Sequence, residues 1–309
     1  MIYILVPWIL LKMLNANFYP DKASFLEYFK GKKQNLINKK TKVSSMGSCF
    51  ATNIGRFLLE NDYNYLVKES LKMSVSETAL NPYIAASARW DFVYNTTVAR
   101  QIFMYSFTDD WKPKTRWWFR DKKAIDPYRR GAEYKKGTQD KEFDLHRLAS
   151  KSALEESDVF ILTLGLTELW RDKRDKSTYF RTPLKEIFDP DVHEFYVQSM
   201  SDIIRDLEYI YNTLKIFNNG VQFVLTVSPV PFNATFRTDV DAVSANMVSK
   251  SKLRVAVDIF KSLHPEIIYF PSYELILMSE EYPFVDDGRH IKPDVVLRMM
   301  KIFEENFCY

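Results

Sequence analysis

Val159-Phe-Ile-Leu-Thr-Leu164 is an unbroken apolar run. Such a run marks a strand covered on both faces, because a half-exposed strand alternates apolar with polar. Working outward, Thr41-Lys-Val-Ser-Ser-Met-Gly47 is short and extended, and the spacing then turns helical. Phe50, Ile54, Phe57 and Leu58 fall on one helical face, with Asn53, Arg56 and Glu60 opposite. Downstream, Met200, Ile203, Ile204, Leu207, Ile210, Tyr211 and Leu214 form a second stripe, stopped by Asn218-Asn-Gly220. Val221-Gln-Phe-Val-Leu-Thr-Val227 reads as another strand, residues 245–262 as a helix and Glu266-Ile-Ile-Tyr-Phe270 as a strand. A last helix opens at Pro293 and carries Val296, Met299, Met300, Phe303 and Phe307. The alternation predicts an α/β fold, a central parallel sheet with helices on both faces. Ligands of such sheets bind beyond the carboxyl ends of the strands.

Composition narrows the function. The chain has 309 residues, 46% hydrophobic and 27% charged, with a formal charge of +3, which is ordinary globular usage. Two cysteines, Cys49 and Cys308, cannot build a disulfide scaffold, and four histidines with two thiols leave little for zinc. No metal or cofactor is expected. No stretch reaches the roughly 20 apolar residues of a membrane span. Met1 to Leu11 is apolar but broken by Pro7 and lacks a basic flank, so it reads as a buried strand or surface-docked piece rather than a signal peptide, with a membrane-proximal anchor as the alternative. A cytoplasmic protein is the expectation, with residues 1–40 as an extension packed on a domain of residues 41–309.

Residues 82–150 break the alternation and read as an insertion or cap. Between Lys112 and Gly137 the net charge is +7, which leaves the rest of the chain at −4. Trp111, Trp117, Trp118, Phe119, Tyr128 and Tyr134 interleave with that charge. Such a surface binds sugars or phosphates through stacking and guanidinium contacts, with Trp117, Trp118, Arg116 and Arg120 as the candidate substrate-binding residues. A solvated cover over the sheet is the plain alternative. Nucleic acid ranks last, given the negative remainder.

Three strand ends carry candidate chemistry. Ser48 follows the first strand where the helical pattern begins, so its hydroxyl lies at a helix amino end whose free N–H groups can hold an oxyanion; an ordinary helix cap is the alternative. Gly165 ends the second strand and offers a backbone N–H. Asp287 precedes His290 by three residues in a Gly288 turn, a spacing that lets a carboxylate fix the imidazole tautomer. Of the other histidines, His146 and His193 read as solvated, and His264, before Pro265, as structural. Cys49, at the same helix start, is a second candidate nucleophile, although its position one residue into the helix reads as packing. Cys308 reads as a tail thiol.

Gly47-Ser-Cys-Phe-Ala51 is the signature of the GSCFA family, and the chain resembles that family over about residues 40–300. Further matches are Thr163-Leu-Gly-Leu-Thr-Glu-Leu-Trp170, Thr226-Val-Ser-Pro-Val-Pro231, Tyr269-Phe-Pro-Ser-Tyr-Glu274, Asp286-Asp-Gly-Arg-His290, Asn81-Pro82 and Tyr94-Asn-Thr96. The family is grouped with SGNH (GDSL-like) hydrolases, which implies a three-layer α/β/α, flavodoxin-like sandwich. It also implies Ser48 as nucleophile, His290 as base and Asp287 as its orienter. The chain departs from that group where a Gly-x-Asn-Asp block completes the oxyanion hole: here stand Gly165, Leu166, Thr167 and Glu168. Thr167 can still donate, whereas an ionised Glu168 would repel an oxyanion. The second-block glycine is also missing, since no glycine occurs between Gly55 and Gly131, and Asn95 is its replacement donor, beside the Ser48 and Gly165 N–H groups. The expected function is serine-dependent hydrolysis of acyl groups, such as acetyl, from a carbohydrate or other small ester. The alternatives are an O-acyltransferase using the same residues and a glycan-binding protein on a hydrolase scaffold.

Overall fold

The computed structural model describes residues 19–20, 33–69, 86–90, 92–129, 132–279 and 282–309. The apolar Met1–Leu11 segment and the Asn81-Pro82 patch lie outside these residues. Four parallel strands form the central sheet: β1 Val43–Gly47, β5 Val159–Leu164, β9 Gln222–Val227 and β10 Ile268–Phe270, in the order β1-β5-β9-β10. Between them in the chain lie β2 Trp118–Arg120, β3 Lys123–Ile125 and β4 Glu133–Lys135, and then β6 Glu168–Asp172, β7 Thr178–Tyr179 and β8 His193–Val197. These make two small antiparallel sheets, β2-β3-β4 and β7-β6-β8. Register places Gly47 opposite Thr163, Thr163 opposite Thr226 and Thr226 opposite Phe270, one row across the carboxyl edge of the central sheet.

Helices cover both faces, as a sheet apolar on both sides requires. On one face α1 Cys49–Glu60, α6 Ser272–Leu277 and α7 Pro293–Phe307 pack on Val43, Val159, Ile161, Val224 and Phe270. On the other, α2 Thr96–Phe107, α3 Gln139–Glu155, α4 Met200–Phe217 and α5 Ala242–Leu263 pack on Met46, Phe160, Leu162, Leu164, Phe223, Leu225 and Val227. Each such side chain withdrawn from water stabilises the fold by roughly 1.5–3 kcal/mol. Helix starts are fixed locally: Ser199 and Asp202 form a reciprocal cap on α4, and Asp241 accepts from Val243 and Ser244 at α5.

The segment expected as a single cap divides. Helices α2 and α3 belong to the main core, with Val98, Ala99, Ile102, Phe103, Ala153 and Leu154 buried there. Only the stretch between them is added structure. The buried face of α3, His146, Ser150, Ala153 and Leu154, carries only one large apolar side chain, so its period is faint in the sequence. The added sheet docks on β7-β6-β8 through a separate cluster of Trp118, Ile125, Tyr128 and Tyr179. Residues 34–37 bond to the end of α7, where Ile37 bridges Cys308. Among the described residues, no helix is long and apolar enough to cross a membrane.

Candidate active site

The site is built at the carboxyl end of β1. Gly47 has φ +151°, and a Cβ there would lie 2.5 Å from both the Thr163 side chain and its carbonyl oxygen. Only glycine lets β1 end so close to β5. Ser48 follows as the cap of α1, its Oγ accepting from the Phe50 N–H at 3.4 Å. Its own proton goes to Ser228 Oγ at 3.0 Å, on the turn that ends β9. Ser228 is held by its N–H, which donates to the Leu164 carbonyl at 2.8 Å. Both serines are buried.

Asp287 and His290 come together as the spacing predicts. Asp287 accepts the Arg289 and His290 N–H groups at 2.9 Å through one oxygen, and His290 Nδ1 meets the other. The imidazole and those backbone donors hold the Asp287 carboxyl well below the usual carboxylate range. The loop is a tight hairpin: Val285 N–H donates to the His290 carbonyl, Lys292 N–H to the Pro283 carbonyl, and Gly288 sits at φ +69°. Its place follows from topology. The end of α7 lies beside Ile37, ahead of β1, so α7 starts at the opposite, carboxyl edge, and His290 stands just before that start. Arg289 of this loop acts electrostatically on Cys49. His290 is largely exposed and shares no hydrogen bond with Ser48. The dyad is formed; its link to the serine is not.

Two of the expected oxyanion donors, Gly165 and Thr167, are engaged elsewhere. The Gly165 and Leu166 N–H groups donate to the Tyr94 carbonyl at 2.9 and 2.8 Å. Thr167 gives both its N–H and its hydroxyl to Ser249 Oγ. Asn95 is the cap of α2, its side-chain oxygen accepting from Val98 N–H at 2.9 Å. In this conformation the donors left for an oxyanion are the N–H groups at the start of α1, beside Ser48, and the Asn95 side-chain amide, since the cap uses only its oxygen. Burial pushes the Cys49 thiol up, against the pull of Lys250 and Arg289, which favours the thiol over the thiolate.

The four insertion residues also divide. Trp118 is buried in the small third cluster. Arg116 is stacked 4.0 Å from the Trp117 ring and 3.8 Å from Phe143, and pairs with Asp126 at 3.5 Å, so its charge is used internally. Trp117 donates to Asp140, and Arg120, half exposed, pairs with Glu133. His146 and His193, expected in solvent, are both buried. His146 lies between Glu69 and the Tyr105 hydroxyl, and His193 packs against Tyr179 and Phe188. His264 caps α5 and bonds Glu208 at 2.8 Å, a structural use. Among the described residues no cluster of His, Cys, Asp and Glu is placed to hold a metal ion.

An aromatic cleft of about 120 Å³ adjoins this edge. Tyr94, Asn95 and Leu166 line one end, and Trp170, Phe180, Phe195 and Phe236 the walls. Its charged groups are Arg181 and Glu168, whose carboxyl is raised by burial and accepts from the Thr235 hydroxyl. The sequence signal for it was weak, since Phe195 and Phe236 lie in segments without periodicity.

A family model described as the GSCFA family matches residues 42–303. The chain belongs to the GSCFA family. Within that GSCFA domain fall the Ser48 turn, the Gly165 turn and the Asp287–His290 hairpin. One solved structure, described as "a putative platelet activating factor from Streptococcus pneumonia", is 9% identical, covers 97% of this chain and 98% of its own, and has a TM-score of 0.40. Another, whose description names no protein, is 14% identical with a TM-score of 0.29; it covers 48% of this chain, which spans 63% of its length. No curated protein matches the chain.

Proposed function

We propose that this GSCFA protein is a serine-dependent ester hydrolase of SGNH type, working on an acylated carbohydrate. The observation that carries the reading is a hydroxyl at the amino end of α1, on the carboxyl edge of the sheet, with a carboxylate-oriented imidazole on a hairpin at the same edge. In the reaction His290 Nε2 takes the Ser48 proton as Oγ attacks the ester carbonyl. The N–H groups at the start of α1 stabilise the oxyanion, and the imidazolium returns its proton to the leaving alcohol. Water then cleaves the acyl-serine by the same steps in reverse. For this Ser48 must turn from Ser228 toward His290. The two free cysteines accord with a reducing, cytoplasmic setting.

Ser48→Ala is expected to abolish both hydrolysis of a simple acetyl ester and labelling by a fluorophosphonate, with His290→Ala lowering both by 10³-fold or more, on the order of a lost general base with its proton relay. Labelling that persists in Ser48→Ala removes the serine from the mechanism. A glycan-binding protein without turnover is the second reading. It is favoured by the internal use of the Gly165 and Thr167 donors. Inactivity on a broad ester panel together with retained glycan binding would decide for it.

A further inference from the structure

Lys250 is the least expected residue of the molecule. It lies on α5 and is 1% exposed, yet among the described residues no carboxylate stands within ion-pair reach. A buried ammonium without a counter-charge is costly and needs a reason in the fold or the site. Its Nζ donates to the Gly165 carbonyl at 2.6 Å and to the Val230 carbonyl at 2.8 Å. These carbonyls belong to the turns that end β5 and β9, on either side of Ser228 and hence of Ser48. The neighbouring Ser249 holds the same Gly165–Thr167 turn from its N–H side. An ammonium has three donors and two are used. The one ionisable group from any packed element that acts on it is Cys49, on α1, next to Ser48.

We infer that Lys250 is a positioning residue of the serine site, tying the two turns that flank Ser48 and setting the electrostatic field at the start of α1. The inference rests on the reading of Ser48 as nucleophile. Burial pulls the lysine down to about 7, so its charge is about half present at neutrality and builds up below it. With the Gly165 and Thr167 N–H groups turned inward, this charge is the principal positive contribution from beneath the site, alongside the helix amino end.

The test compares wild type, Lys250→Met and Lys250→Arg, all in a Cys308→Ser background. Methionine keeps the stem and removes charge and donors; arginine keeps both. Two rates are read: fluorophosphonate labelling of Ser48, and iodoacetamide alkylation of Cys49 across pH 6–9. The methionine variant is expected to label at a tenth of the wild-type rate or less and to show an altered Cys49 profile, with alkylation several-fold slower than wild type below pH 7, where the lysine is charged, and the two rates converging above it. Arginine is expected to restore labelling at least in part. A merely structural lysine would lower the melting temperature without moving the Cys49 profile. Wild-type labelling and an unmoved Cys49 profile in Lys250→Met overturn the inference. If wild type itself does not label, the hydrolase reading fails, and the Cys49 profile alone decides on Lys250. Should the methionine variant not fold, Lys250→Gln is read against the same outcomes.

Discussion

Ser48 Oγ gives its proton to Ser228 Oγ, 3.0 Å away, rather than to the imidazole of His290. The resting serine is therefore held by a neutral acceptor that cannot serve as base. Removing that acceptor frees the hydroxyl to rotate. Ser228→Ala is expected to raise the rate of fluorophosphonate labelling several-fold. It also removes an acceptor for Val230 N–H, at a cost to stability of about 1 kcal/mol. Labelling that instead disappears would show that Ser228 takes part in the relay.

Acid stability has an identifiable source in the buried pair Glu69–His146. His146 is fully buried, with Nδ1 at 2.6 Å from Glu69 and Nε2 at 2.9 Å from the Tyr105 hydroxyl, an arrangement suited to the neutral ring donating to Glu69 and accepting from Tyr105. Burial, aided by Arg129, lowers the ring to about 4. Burial alone would raise Glu69, but the His146 hydrogen bond and Arg129 outweigh it and hold the carboxyl at about 2. Between pH 6.5 and 4 the unfolded chain binds a proton that the folded His146 refuses, so stability falls as pH falls through that window. Its size from the ring alone is about 3 kcal/mol. Glu69 adds a second loss below pH 4.5, toward 2, where the folded carboxylate resists protonation. His146→Gln should flatten the pH 4–6.5 part of a melting-temperature profile relative to wild type. A profile with unchanged slope in that variant would assign the acid sensitivity elsewhere.

What could be read from the chain, and what could not, follows from range. The switch from extended to helical spacing at Gly47-Ser48 is local, and so is the three-residue step from Asp287 to His290; both place their residues as expected. Gly165 looked like a free donor because nothing near it announces Tyr94, whose carbonyl takes its N–H from a distant segment. Lys250 and His146 sit on helices where a charged or polar residue ordinarily marks the wet side. Their burial depends on carbonyls and a carboxylate supplied by other elements. Within the basic insertion the same holds for Arg116, which finds its partners in Asp126 and Phe143, while Lys112, Lys114, Lys122, Lys135 and Lys136 stay exposed and keep the surface positive.

Gly47 is the most restrictive backbone position of the site. A methyl group there meets Thr163 carbonyl oxygen at 2.5 Å, and backbone cannot swing aside as a side chain can. The residue also holds φ +151°, and its carbonyl accepts from Val93 N–H. Gly47→Ala is expected to destabilise by about 3 kcal/mol or more, through strain and separation of β1 from β5. Denaturant melts of the variant check this, and a loss below 1 kcal/mol would mean that the strand ends separate easily.

On the proposed hydrolase reading, the aromatic cleft would receive the larger part of the substrate. It begins at Tyr94, Asn95 and Leu166, beside the Gly165 turn, and its walls are ring faces and edges, with Phe236 half exposed against Trp170 and Phe195. Aromatic contacts of this kind are worth about 0.5–1.5 kcal/mol beyond burial, which corresponds to roughly 2–10-fold in binding. Phe236→Ala should therefore raise KM for a bulky glycosyl ester by about that factor while leaving kcat/KM for a short acetyl ester within twofold, because the short ester does not reach the walls. Arg120→Ala, on the outer face of the insertion, should change neither. Steady-state kinetics on the two esters separates the surfaces: an effect of Arg120→Ala alone would return substrate binding to the insertion, and equal losses on both esters in Phe236→Ala would show that the ring supports the site rather than the substrate.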